Sequence, residues 1–206
     1  MKLRRAESSD LDALAGIFIA AWRQGYPGIV PDNVIAAIDV AAAREIIGEP
    51  AGQQPFVTGV AEVSRGTAGY VQYGADADAC DERTGYVAAL YVHPDQASQG
   101  IGRELLDHAI AELARQGRDR VRLWVFADNK RAARLYTSAG FRPDGAELTD
   151  PRWQTRQIRM QRDPLSWPAI YRGVVSHPAP ETGSHLPFTA PSVTPAIVFT
   201  TTPLAA

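Results

Sequence analysis

Cysteine is nearly missing from this chain. Cys80 stands alone among 206 residues, so no internal disulfide can form, and such usage suits a reducing compartment. It lies in an acidic stretch with no paired histidine, which leaves the thiol without the partner a nucleophile needs. Histidine is sparse too: the four present are scattered with no ligand spacing, so no metal is expected. Neither sign of charge dominates. The 21 basic and 23 acidic residues give a formal net charge of −2, which argues against a nucleic-acid or anionic-membrane partner. Long apolar runs are absent, so no segment is expected to span a bilayer. The basic start (Lys2, Arg4, Arg5) precedes an apolar stretch at 13–22, but Glu7, Asp10 and Asp12 intervene, which a secretory leader avoids. A soluble, cytoplasmic chain with one core of ordinary domain size is the expectation.

What is present is concentrated in one stretch, Leu90-Tyr91-Val92-His93-Pro94-Asp95-Gln96-Ala97-Ser98-Gln99-Gly100-Ile101-Gly102-Arg103-Glu104-Leu105-Leu106. It has the form of a strand, a turn closed by proline, a Gly-x-Gly loop and a helix. Ile101, Leu105, Leu106, Ala109, Ile110, Leu113 and Ala114 form one stripe at helical spacing, and Gly117 offers a left-handed stop. A loop of this kind presents successive N–H groups and the positive end of a helix dipole to one point, which suits a diphosphate. A Walker loop needs Lys-Ser/Thr after the last glycine, and none follows Gly102. The dinucleotide fingerprint needs glycine where Leu105 stands.

The same stretch resembles the pyrophosphate loop of the GNAT N-acetyltransferase superfamily, whose pattern is Gln/Arg-x-x-Gly-x-Gly/Ala after a strand ending Leu-Tyr-Val-x-Pro. Strand and glycines match, but Ala97 occupies the Gln/Arg place, with Gln96 one residue early. A second resemblance lies downstream. The superfamily's fourth helix carries Asn-x-x-Ala-x-x-x-Tyr-x-x-x-Gly-Phe, and Asn129, Ala132 or Ala133, Tyr136, Gly140 and Phe141 stand in those places. The likeness covers about 1–163 and is strongest over 84–141.

The remaining pattern agrees with that fold. A strand at 2–6 is followed by a helix capped at Ser8 or Ser9, with Leu11, Leu14, Ile17, Phe18, Ala21 and Trp22 as its buried stripe. A second helix is expected from Pro31 or Asp32 to Ile47. A hairpin at 56–64 and 68–73, an acidic loop at 75–83 and strand Thr84–Val92 come next. Arg120–Phe126 is apolar on both faces and is expected to be central and covered. Two strands, 142–146 and 154–161, close the domain. The fold class is α/β (α+β): a GNAT fold with a mixed, mostly antiparallel sheet of about seven strands and about four helices. Residues 164–206 carry eight prolines and only Arg172 and Glu181 as charged groups. Such density denies helix and central strand. An extended arm over the domain or a neighbouring subunit is expected, and a homodimer is one arrangement this allows.

The resemblance implies acetyl transfer from acetyl-CoA to a primary amine by direct attack in a ternary complex, without a metal. It implies cofactor contacts at Leu90, Tyr91 and Val92 on the strand. The loop would contribute Ala97, Ser98, Gln99, Gly100, Ile101, Gly102 and Arg103, and the fourth helix Asn129 and Ala132. Tyr136, two turns beyond Asn129, takes the general-acid place, and Arg23 and Tyr26 border the acceptor pocket. The glutamate that many relatives carry early in strand four is Tyr86 here, so no base is assigned. A small-molecule amine is the first reading of the acceptor. A protein lysine or N-terminus, or a non-catalytic CoA-binding regulatory module, stays open.

Overall fold

The computed structural model describes residues 1–48, 56–79 and 81–163. Cys80 and the proline-rich extension, with the arm expected there, lie outside the described residues. Strand β1 (Lys2–Arg5) leads through a 3-10 turn (Ser8–Asp10) into α1 (Leu11–Gly25), then α2 (Asp32–Ala36) and α3 (Val40–Ile47). Strands β2 (Phe56–Val63), β3 (Gly66–Ala75) and β4 (Thr84–Val92) follow, then α4 (Ile101–Arg115), β5 (Arg120–Phe126), α5 (Lys130–Ser138), β6 (Arg142–Asp150) and β7 (Thr155–Arg162). They form one seven-stranded sheet in the order β1-β2-β3-β4-β5-β7-β6, antiparallel throughout except between β4 and β5.

Both faces of the sheet are covered, which explains the two apolar faces of β5. Helices α4 and α5 pack Leu105, Leu106, Ala109, Leu113, Tyr136 and neighbouring Phe141 against Val71, Val87, Leu90, Val121, Leu123 and Val125. On the other face, α1 and α3 pack Leu14, Phe18, Trp22, Ala43 and Ile47 over Val60, Tyr70, Ala89, Tyr91 and Phe126. Close approach fixes β3 against β4: a Cβ at Gly69 would lie 2.6 Å from the Tyr91 carbonyl oxygen, so only glycine fits without a backbone shift.

Three local expectations are corrected. The single helix expected up to Ile47 is two, giving five α-helices, because Asp39 is extended and its carboxylate accepts the Ala42 N–H at 2.8 Å, starting α3 anew. Buried Val34, Ile35, Ile38, Ala43 and Ile47 hide this break from any periodicity argument. The first helix is entered through Asp10 and not through a serine cap. The Asp10 carboxylate accepts the Glu7 N–H at 2.8 Å and both ends of the Arg4 guanidinium at 2.7 and 2.8 Å. Finally, β6 runs on to Asp150, as a sheet-edge strand whose mostly solvent-facing side chains leave no hydrophobic alternation.

Two irregularities open the sheet at its centre. The β3–β4 register passes from Gln72↔Ala89 to Tyr73↔Val87, which leaves Ala88 as a bulge. Consecutive residues Ala88 and Ala89 therefore share the sheet side opposite α4 and α5. Pairing of β4 with β5 is limited to Thr84, Gly85 and Tyr86 against Arg120, Val121 and Arg122. Beyond Tyr86 the two strands part, and the fork so formed points toward the Gly-x-Gly loop.

Candidate active site

The fork exposes backbone. The His93 N–H donates to the Ala68 carbonyl of β3 at 2.8 Å, so by the alternation of an antiparallel ladder Tyr91 and Ala89 also turn to β3. The backbone groups of Leu90 and Val92 then face the gap, where β5 no longer pairs. Of the three strand residues implied by the resemblance, Tyr91 is turned elsewhere. Its side chain goes to α1, and its hydroxyl accepts the Trp22 indole N–H at 3.2 Å.

At the mouth of the fork lies the loop. A 3-10 turn (Pro94–Gln96) closes with the Ala97 N–H on the Pro94 carbonyl at 3.0 Å, so that amide is occupied. Ser98 and Gly100 hold φ of 65° and 80°. Gly100 caps α4: its carbonyl accepts the Arg103 and Glu104 N–H groups at 2.9 and 3.1 Å. Among the described residues, the N–H groups of Gln99, Gly100, Ile101 and Gly102 reach no acceptor. A Cβ built on Gly100 meets nothing within 4 Å, so the space beside that residue is open. The Ile101 side chain is buried in the α4 core. Arg103 leans away, to Asp107 at 2.7 Å and the Ser138 carbonyl at 3.2 Å, and so ties α4 to α5.

Helix α5 begins at Asn129, whose side-chain oxygen accepts the Ala132 N–H at 3.0 Å. Ala132 therefore has its amide capped and its methyl in the core. Two turns on, Tyr136 is fully buried beside Phe141, and its hydroxyl reaches no partner among the described residues. Burial pushes its pKa well above the ordinary 10, with further upward pushes from Tyr91 and Tyr86. Those two side chains belong to the opposite face of the sheet. Tyr26 lies at α1's end, 4.6 Å from Trp22 and 5.2 Å from Phe126 by ring centroids. Its own proton is held more tightly through burial first, then through Tyr91 and Tyr136. Arg23 is exposed.

Some groups at the fork have no local sequence signal. Tyr86 marks the vertex, and burial first, then the Asp76 carboxylate, pushes its pKa well above the ordinary 10. That carboxylate sits 3.6 Å from Arg122, and burial raises its pKa despite the guanidinium. The composition of 75–83 says only that the stretch is polar and acidic. On the β6–β7 hairpin, the Trp153 indole N–H and the Gln157 amide nitrogen are buried donors without acceptors among the described residues. Gln157 is opposite Phe126, and Trp153 packs 4.7 Å from Trp22. A cleft of about 510 Å³ opens next to this hairpin, between Gly28, Ile29, Val30, Pro31 and Asp32 on one side and Gln154, Thr155 and Arg156 on the other. Among the described residues no three His, Cys, Asp or Glu side chains converge as metal ligands, and no helix is long and apolar enough to cross a membrane.

Comparison with known proteins gives the same outline. The model of the acetyltransferase (GNAT) family matches residues 18–141. A mycothiol acetyltransferase from Beutenbergia cavernae is 43% identical over 63 residues, 31% of this chain and 21% of that protein, so the chain matches only about a fifth of that relative's length. An uncharacterized N-acetyltransferase from Archaeoglobus fulgidus is 27% identical over 146 residues, 69% of this chain and 93% of the other. The Escherichia coli [ribosomal protein bS18]-alanine N-acetyltransferase is 46% identical over 52 residues, 25% of this chain and 35% of that one. Among solved structures, the PaiA N-acetyltransferase of Thermoplasma acidophilum, in complex with coenzyme A, superposes with a TM-score of 0.64. Its sequence identity is 18%, over 79% of this chain and 98% of that one, a likeness of fold.

Proposed function

The chain belongs to the GNAT acetyltransferase family, and from that premise we propose that it moves the acetyl group of acetyl-CoA to a primary amine of a small molecule. The observation that carries this reading is the set of open donors on the strand–loop–helix stretch and on α5. Four amides at 99–102 face open space at the loop, the Leu90 and Val92 backbones face the gap, and a buried hydroxyl waits at Tyr136. A long ligand with a diphosphate at one end and a thioester at the other suits that set. The cosubstrate supplies an activated acyl group on a thiol leaving group.

The residues then have distinct work. The Gln99–Gly102 amides and the α4 dipole hold the diphosphate. Leu90 and Val92 bind the pantetheine amides as an added strand would, and an N–H there polarises the acyl oxygen. Asn129 shapes the start of α5 and so sets the position of Tyr136. Tyr136 gives its proton to the departing sulfur. Its raised pKa is not an obstacle, because the same buried gap raises the proton affinity of the thiolate. Holding both reactants within the fork is the largest contribution. The acceptor enters from the Tyr26 side, past the cleft between the α1–α2 connection and the β6–β7 hairpin.

A protein N-terminus is the second reading, supported by the ribosomal-protein alanine acetyltransferase among the relatives. Release of CoA thiol with two panels, small amines and peptides with free N-termini or lysines, separates the readings. Turnover with small amines above that with every peptide is expected. Turnover with peptides alone overturns the small-molecule assignment. CoA binding without thiol release on either panel overturns transfer and leaves a binding module.

A further inference from the structure

In the loop pattern that this chain resembles, a long polar or cationic side chain stands where Ala97 does. Ala97 contributes only a methyl, and its amide is already bonded within the preceding turn. A neighbouring helix brings a cation to the same spot. The Arg131 guanidinium, from the first turn of α5, donates to the Ser98 hydroxyl at 3.3 Å. One of its five N–H donors is used there.

The electrostatics of Arg131 are unfavourable as it stands. Its side chain is half-buried, and burial and Arg134, one turn on along the same face, both act against its charge. Nearby cations have counter-ions: Arg103 pairs with Asp107 and Lys130 with Asp128. Among the described residues, neither Arg131 nor Arg134 lies in an ion pair. Ser98 adds a second sign of preparation. It holds a φ of 65°, a left-handed conformation that costs a serine more than a glycine, and the Arg131 bond helps to keep it there. A partly desolvated cation without a carboxylate, beside a loop with four open amides, lacks one thing: an anion.

We propose that Arg131 supplies the positive charge the loop lacks at Ala97, reaching from α5 to bind the diphosphate of the cofactor directly. The proposal rests on the functional reading above and assigns one further ligand contact within it. A guanidinium suits the role because two of its donors can meet two phosphate oxygens at once. The bland alternative is that Arg131 only pins Ser98 in place.

The test is calorimetric titration of the full chain with CoA and with dephospho-CoA, for wild type, Arg131→Ala and Ser98→Ala, with a thermal melt of each ligand-free protein. Arg131→Ala should weaken both ligands by a similar factor, roughly ten- to a hundredfold, the range of a hydrogen bond to a charged group. Its ligand-free melting temperature should stay level or rise, because an uncompensated cation is gone. Ser98→Ala keeps the charge and should lose less affinity than Arg131→Ala. An Arg131→Ala protein within about twofold of wild type overturns the contact, since a lost hydrogen bond to a charged group exceeds that factor. So does a loss confined to CoA, which would put Arg131 on the 3′-phosphate, or an equal loss in Ser98→Ala. Wild-type protein that binds neither ligand overturns the functional reading itself, a distinct outcome.

Discussion

Replacing Tyr136 by phenylalanine removes one oxygen from a place where that oxygen has no structural employment. The side chain is fully buried, its ring packs at 5.9 Å on Phe141, and the hydroxyl has no partner among the described residues. A buried hydroxyl left unsatisfied costs about 1–3 kcal/mol. Tyr136→Phe keeps the ring and removes that cost, so the melting temperature should stay level or rise. Activity should move the other way. The hydroxyl is protonated at neutral pH because burial holds its pKa above the ordinary 10, so it has a proton to give when negative charge grows on sulfur. Loss of a positioned general acid lowers kcat by roughly 10²–10⁴-fold. Acetyl-CoA affinity should change little, because the interaction matters only as the bond breaks. A thioester with a more acidic thiol should recover part of the loss. The assay is steady-state thiol release beside a thermal melt. A variant within about threefold of wild-type kcat, well short of a general acid's share, or one that is markedly less stable, returns Tyr136 to the core as a packing residue.

Gly100→Val places a branched Cβ in the open space before the four free amides, at a φ of 80°. CoA binding should be lost while the circular dichroism spectrum stays native; unchanged affinity removes the loop from the account. Gly69→Ala sets a Cβ 2.6 Å from the Tyr91 carbonyl, and strain of this kind costs roughly 1–3 kcal/mol. An unaltered melting temperature would mean that β3 and β4 yield more freely than their register implies. Asp10 provides a pH test. Its folded pKa lies below the ordinary 3.8, chiefly through the Arg4 hydrogen bond, which outweighs burial, with the Glu7 N–H helping. Its stabilisation is thus fully present above that value and is lost as pH falls through the folded value. Asp10→Asn should melt earlier than wild type at neutral pH, and the two curves should converge under acid below 3.8. A gap that persists at low pH would assign the loss to something other than the ion pair.

The parts of this molecule that a linear pattern could reveal are those built from neighbours in sequence. The strand–loop–helix at Thr84–Val92 and Ile101–Arg115 was legible because the glycines, the proline and the apolar stripe are contiguous. The α5 start was legible because Asn129 caps a turn three residues away. The α2–α3 break was not, because helical periodicity survives across it and only the Asp39 cap betrays it. Nor was the entry to α1, because Arg4 must fold back from the adjacent strand before Asp10 can serve. Long-range groups fared worse. Asp76 meets Tyr86 and Arg122 only once β3, β4 and β5 lie side by side, and the cleft joins 28–32 to 154–156 across most of the chain. Trp153 and Gln157 carry no motif. Arg131 sat within a recognised helix, yet its bond to Ser98 spans two elements that no spacing relates.

Amide hydrogen exchange with and without acetyl-CoA tests most directly whether the fork and its loop are the cofactor's seat. The account predicts new protection at Gln99, Gly100, Ile101 and Gly102 and at Leu90 and Val92, the amides that lack partners or face the gap. Amides on the β1–β2 ladder should exchange as before, since both strands lie away from the fork. Protection centred on the α1–α3 face instead, with 99–102 unchanged, would contradict it.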